Sequence, residues 1–317
     1  MKRFLLVSLI AAVALTACHS INAVPNAPTL RASTIALSVM TPGEVSTFPA
    51  TGTGNIAPST TIVGGSTDMD EPLIPFFDAS GNLWVPQYSG HAITEYPGTA
   101  TGNIAPSVNI TGGSTTFSGL TAVYVTSSNI YAADYTLNAI DVFPSSANGN
   151  VAPSRQIIGG STGLSEPWGL SVDSGGTIYV ANFTGASIEE FAPGANGNVA
   201  PSVTISGVAT TLADPIGPWR DAHGHLWVAN YTGASILEFA ASASGNVAPM
   251  NTISGGSTGL SDPDGIAVDG KGYIYVSNSG SSAIEVFAPG ATGNVAPVQT
   301  ISGGSTGIIG TYGLAIR

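Results

Sequence analysis

Apolar residues in this chain come in short runs of four to six, broken by Gly, Asn, Ser and Pro. One period reads Gly169–Asp173 (GLSVD), Ile178–Asn182 (IYVAN), Ile188–Phe191 (IEEF) and Ser202–Ser206 (SVTIS). Ile, Val, Tyr, Phe and Thr dominate, and the apolar positions follow strand rather than helix spacing. Beyond the first seventeen residues, no stretch of ten or more positions carries apolar residues at helical spacing.

The four runs recur with a fixed period. The phrase Gly-Asn-Ile/Val-Ala-Pro begins at Gly54, Gly102, Gly149, Gly197, Gly245 and Gly293, with spacings of 48, 47, 48, 48 and 48 residues. Self-similarity at this period marks a repeat architecture. Four short antiparallel strands per period, A to D, predict an all-β fold, a β-propeller. The second run recurs near Ile35, Leu83, Ile130, Ile178, Leu226 and Ile274. The first run ends at Asp78, Val125, Asp173, Asp221, Asp269 and Arg317. The chain thus enters on a B run and leaves on an A run. Six blades follow: five whole, and one in which residues 34–63 supply strands B, C and D and residues 312–317 supply strand A. A blade shared by both ends closes the ring and hides its sheet edges. The phrase itself reads as scaffold. Gly-Asn gives a turn with positive φ between strands C and D, and the Pro opens the outer strand, where a missing N–H matters little.

Ahead of the repeats, Lys2 and Arg3 precede thirteen apolar residues, Leu5 to Ala17, too few to span a bilayer comfortably. The segment reads as a signal peptide, residues 1–17. Residues 18–33, with Pro25 and Pro28 and no strand pattern, read as a tether ahead of a propeller at 34–317. Cys18 is the only cysteine, so no intrachain disulfide and no Cys-based metal cluster is expected.

Charge narrows the partners. The formal net charge is −12, and without Lys2 and Arg3 five basic residues face nineteen acidic ones. Nucleic acid needs a basic footprint, and anionic lipid attracts basic segments; neither is expected as a partner. Glu44, Asp68, Asp70, Glu71, Asp134, Glu166, Asp214, Asp262 and Asp264 fall on or beside the D–A and B–C connections, which share one face of a propeller. That face is expected to be acidic, suited to a cation or a basic partner. Four of these acids precede Pro, where a turn can also use a carboxylate.

Strand A lines the channel, and one residue per blade forms a ring at its mouth: Leu73, Leu120, Trp168, Ile216, Asp264 and Tyr312. A mostly apolar concave mouth with one charge suits a small ligand. Tyr88, Tyr135, Phe183 and Tyr231 open the B–C loops on the same face, either to stack a sugar or peptide group or to pack under neighbouring loops. Arg220 stands in strand A where other blades carry Phe77, Val172, Val268 and Ile316. It needs a carboxylate or water, and either orients an anionic ligand or forms an ion pair. The four His residues are scattered: His19 in the tether, His223 and His225 in an A–B turn, and His91 alone on the acidic face. They cannot assemble a three-His zinc site.

Three resemblances extend this reading. Leu15-Thr16-Ala17-Cys18 resembles the bacterial lipobox, implying cleavage before Cys18, lipidation there, and export to the envelope. His19 in place of Asp after the Cys resembles lipoproteins bound for the outer membrane or cell surface. Pro167–Asp173 (PWGLSVD) and Pro263–Asp269 (PDGIAVD), followed by Gly-x-Ile-Tyr-Val, are similar to the NHL repeat over residues 34–317, which implies a propeller but no single activity. Pro263-Asp264-Gly265 with Asp269 and Gly272 resembles the gluconolactonase and regucalcin family, six-bladed enzymes whose equivalent Asp binds a divalent metal. That resemblance would make Asp264 a ligand for Ca²⁺ or another divalent cation. At the family's Glu and Asn ligand positions this chain carries Leu73, Leu120, Trp168, Ile216 and Tyr312. His91 is the candidate base if the chain resembles streptogramin lyases, which are seven-bladed.

The expectation is a lipid-anchored, exported binding module without a cofactor, acting as a monomer on an envelope protein, glycan or small molecule. Its contact residues would be Trp168, Tyr312, Asp264, Tyr88, Tyr135, Phe183, Tyr231 and Arg220. The alternative is a metal-dependent lactonase or lyase using Asp264 with Asp262, Asp70 or Glu71.

Overall fold

The computed structural model describes residues 31–317. The expected signal peptide, Cys18 and most of the tether lie outside them. Among the described residues, twenty-four strands form six four-stranded antiparallel sheets around a central axis. Blades 1 to 5 each run A-B-C-D in sequence, with strand A innermost. Blade 3 has strand A at Pro167–Val172, B at Ile178–Asn182, C at Ser187–Phe191 and D at Val203–Ser206. Blade 6 takes strand A from Thr311–Ile316 and strands B to D from Thr34–Val39, Glu44–Pro49 and Thr60–Ile62. Its seam pairs Ile35 with Ile316, Ala36 with Ala315 and Leu37 with Leu314. The six-bladed ring and its shared closing blade are as the period implied.

The core lies between blades, because both faces of each sheet are covered. Ile188 and Phe191 of strand C are both fully buried. Three apart on a strand, they point to opposite faces. Ile188 packs in a cluster with Leu226, Val228 and Phe239 of blade 4. Phe191 packs with Phe143 and Ile157 of blade 2.

The recurring phrase does more than turn the chain. In blade 1 strand C ends at Tyr96 and strand D begins at Val108, too long a connection for a tight turn. It crosses to the preceding blade, where Gly102 N–H donates to Thr61 O at 2.7 Å and the Asn103 side chain accepts from Ser66 N–H at 2.7 Å. The same Asn bond recurs from Asn150, Asn198, Asn246, Asn294 and Asn55 to the backbone of Ser114, Ser161, Ala209, Ser257 and Ser305. Each phrase therefore staples its blade to the one before. The expected positive φ is present (Gly197, 71°), and the Pro lies two residues ahead of strand D.

A second recurring device holds the A–B turns. The Asp173 carboxylate accepts the backbone N–H of Gly175 and Thr177 and the Tyr179 hydroxyl. Asp78, Asp221 and Asp269 do the same with Trp84, Trp227 and Tyr275 as the aromatic donors. Asp269 also accepts Ala32 N–H at 3.0 Å, and the Arg31 guanidinium lies 4.2 Å over the Tyr273 ring. Residues 31–33, the last three of the expected tether, thus pack against the propeller.

Candidate functional site

Strand A reaches the mouth through a β-bulge. In blade 3 Pro167 pairs with Asn182 and Gly169 with Ala181, leaving Trp168 as the extra residue. In blade 5 Pro263 pairs with Asn278 and Gly265 with Ser277, leaving Asp264. A bulge re-aims a side chain that a regular strand would bury between sheets. The same register in blade 2 pairs Leu120 with Asp134 and Ala122 with Ala133. The ring position there belongs to Thr121, not Leu120. The 47-residue spacing hides a missing residue in the A–B turn, which shifts the apparent alignment by one. Thr121 is buried, and its hydroxyl donates to Ala133 O and Pro167 O.

The ring is tightly packed just below. A Cβ on Gly169 would lie 2.5 Å from Gly217 Cα, and one on Gly265 would lie 2.8 Å from Gly313 Cα. The inner strands therefore touch backbone to backbone at this level. Beneath them remains a cavity of 50 Å³ lined by Phe76, Tyr124, Leu170, Trp219 and Ile266 among others. The dish-like mouth opens over a channel that has narrowed to this small cavity.

Around the dish runs a continuous arc of rings. Centroid separations are 6.4 Å from Tyr88 to Tyr135, 5.4 Å from Tyr135 to Trp168, 5.0 Å from Trp168 to Phe183 and 6.0 Å from Phe183 to Tyr231. Each lies in the 4.5–7 Å range of favourable aromatic pairs. All five rings are half-buried: they pack on one another and keep one side in solvent, combining both readings of the loop aromatics. The Trp168 indole N–H is buried with no acceptor among the described residues. Tyr312, also half-buried, holds the remaining ring position nearest blade 1.

Carboxylates stand behind the arc. Glu71, Glu166, Asp214 and Asp262 all adopt φ of 50–55° ahead of their Pro. Glu71 accepts the Ser89 hydroxyl and Glu166 the Thr184 hydroxyl, tying each D–A loop to the B–C loop of the same blade. Burial first, then the hydrogen bond and charge of Glu166, push the Tyr135 hydroxyl up to about 12. Arg155 lies on outer strand D, and Arg220, Lys271 and Arg317 lie at the far ends of strands A or in the A–B turns. No Lys or Arg among the described residues stands on the acidic face.

Asp264 is fully enclosed. Its carboxylate accepts the Ser277 hydroxyl at 2.5 Å and the Thr311 hydroxyl at 2.8 Å. No other carboxylate or imidazole among the described residues joins it in a cluster of metal-ligating atoms. Asp262, Asp70 and Glu71 stay in the surrounding loops, where Asp70 is exposed. Burial raises the Asp264 carboxyl to about 7, against the opposing pull of the two hydroxyls. An unfolded chain holds this group near 3.9. The stabilisation is full at pH below about 4 and is lost as pH rises through 7, because ionisation inside the fold costs more than in water. We expect the melting midpoint to fall between pH 5 and pH 8, a loss on the order of a few kcal/mol, and Asp264→Asn to reduce that fall. Asp141, raised by burial to about 7 as well, supplies the residual slope. A midpoint profile in Asp264→Asn parallel to that of the native protein would remove Asp264 from the account.

Arg220 is not part of the rim. It closes strand A at the A–B end, and its guanidinium lies 4.5 Å over the Tyr179 ring of blade 3. The contact is cation–π, between blades, rather than an ion pair within 4 Å or a ligand clamp in the mouth. His91 sits exposed at φ 45°, a loop position shared with Asn138, Ala186, Ala234 and Ser282, and its backbone carbonyl accepts from Thr111.

No family model matches the chain, and no curated protein matches it. Solved structures do. A functionally unknown protein from Desulfotomaculum acetoxidans DSM 771 aligns with a TM-score of 0.59 and 13% identity, over 90% of this chain and 98% of that one. A chain in a nidogen/laminin complex aligns at 0.62 and 12%, over 89% and 97%. A protein of unknown function from Bacteroides caccae aligns at 0.62 and 10%, over 90% and 98%. At such identities the likeness is one of architecture, and the chain is by its structure a six-bladed β-propeller.

Proposed function

We propose that this protein is a non-enzymatic binding module whose ligand docks on the aromatic, acidic dish. The observation that carries the reading is the unbroken arc Tyr88–Tyr135–Trp168–Phe183–Tyr231 around the channel mouth. Rigid, partly exposed rings offer contact area at low entropic cost, and Trp and Tyr dominate binding hot spots. Half-buried rings around an open mouth suit a ligand presented at a surface, such as a glycan chain or a protein loop. The NHL-like character of the repeats and lipid anchoring through Cys18 belong to the same proposal. An anchored propeller with this dish facing outward suits recognition in the cell envelope.

The test is a screen of oligosaccharides and envelope-protein fragments against the purified protein, followed by Trp168→Ala and Phe183→Ala. A ligand of the dish should bind at least tenfold more weakly to Trp168→Ala, about 1.4 kcal/mol, under conditions where the variant is still folded by circular dichroism. Ligands that bind both variants as they bind the native protein would refute the dish as the contact surface.

A further inference from the structure

The face opposite the dish carries a second constellation. In blade 4 the A–B turn is Asp221-Ala222-His223-Gly224-His225. Asp221 holds the turn as its counterparts do, through the N–H groups of His223 and His225 and the Trp227 indole. Strand C then adds Glu238, which lies beside Trp227 in the sheet register. His225 Nδ1 is 3.0 Å from Glu238 Oε1 and 3.4 Å from Asp221 Oδ2, and His223 Nδ1 is 3.9 Å from the same Asp221 oxygen.

Those separations have a chemical meaning. Tetrahedral Zn²⁺ with bonds of about 2.0–2.1 Å places its ligand atoms roughly 3.3 Å apart. Asp221, His225 and Glu238 present three such atoms mutually within 4.8 Å. Blades 1 and 3 keep the acids and lack the imidazole, whereas blade 5 keeps only Asp269, with Tyr273 and Val286 at the other two positions. Blade 1 has Asp78, Asn82 and Glu95 at these positions, and blade 3 has Asp173, Thr177 and Glu190. Only blade 4 replaces the turn residue with His, and it does so twice.

The His225 side chain is 30% exposed and that of His223 is 81% exposed, so an ion has a path in and His223 is free to turn onto it.

We propose that Asp221, His225 and Glu238, with His223 as the fourth ligand, form a binding site for Zn²⁺ or a similar first-row divalent metal. The mixed nitrogen and oxygen donors favour such ions over Ca²⁺, which takes six to eight oxygens. The metal would pin the blade 4 A–B turn to strand C, at the end of the propeller away from the dish.

Zinc titrated calorimetrically into the chelator-stripped protein tests this. One saturable equivalent is expected, with Ca²⁺ at the same concentration giving no heat. His225→Ala and Glu238→Gln should each weaken binding at least about tenfold, as losses in a metal site do. His223→Ala changes a side chain too exposed to affect packing, so a loss of affinity there reads on ligation alone. Asp264→Asn and Trp168→Ala should bind Zn²⁺ as the native protein does, which separates this site from the dish. Absence of a saturable equivalent, or native affinity in both His223→Ala and His225→Ala, overturns the proposal.

Discussion

A chain ending at Gly310 is expected to lose the cooperative melt of the full-length protein. The missing strand supplies the whole inner edge of blade 6. Leu314, Ala315 and Ile316 are buried in it, and burial of a Leu or Ile side chain contributes about 1.5–3 kcal/mol. Truncation also removes the Thr311 hydroxyl from Asp264 and the Arg317 carbonyl that accepts Ser33 and Thr34 N–H. Strand Thr34–Val39 becomes an open edge in the middle of the ring. A typical domain has only about 5–15 kcal/mol of net stability, so these losses together approach the total. Circular dichroism melts and dye binding to exposed apolar surface read the outcome. A truncated chain that melts sharply within a few degrees of the intact protein would mean that closure does not hold the ring together.

The second large effect is expected at the floor of the dish. Gly169→Val should lower the melting midpoint by roughly 6–12 °C, from about 3 kcal/mol of overpacking at about 2–4 °C per kcal/mol. The first added carbon already meets Gly217 Cα at 2.5 Å and Gly217 N at 2.6 Å. Both are backbone atoms of the next blade, so relief requires prising blades 3 and 4 apart. Gly256→Ala is the matched control, because nothing lies within 4 Å of an added Cβ there. Equal midpoints in the two variants would show that the channel is looser than this geometry. The same substitution should also weaken any ligand of the arc, since Trp168 sits one residue away on the bulge.

The period made the ring, the blade count and the shared blade readable before any coordinates, since each blade repeats the same four runs. The site was readable only in part. Trp168, Asp264 and Tyr312 follow from counting back along strand A, and the loop aromatics from counting forward from strand B. Thr121 did not follow, because blade 2 lost its residue inside the turn and not at the strand start. The fate of Arg220 was hidden because its stacking partner, Tyr179, belongs to another blade. Glu238 escaped notice beside the His pair for a related reason. It lies thirteen residues past His225, and only the sheet register brings the two together. The Asn staples were legible as a motif, but their partners on the preceding blade were not.

Those staples give the molecule a direction in time. Five of the six join residues 36 or 37 apart, and the sixth, Asn55 to Ser305, joins residues 250 apart. Every staple points backward, from a newer blade to an older one, except at that last seam. As the chain leaves a ribosome or a translocation pore, each blade finds its dock already made, and the assembly grows as an open arc. The first three strands must wait, unpartnered on their inner side, until the final seven residues arrive. The interval between the first blade and the last is when this protein is most exposed to holding factors, proteases and its own copies.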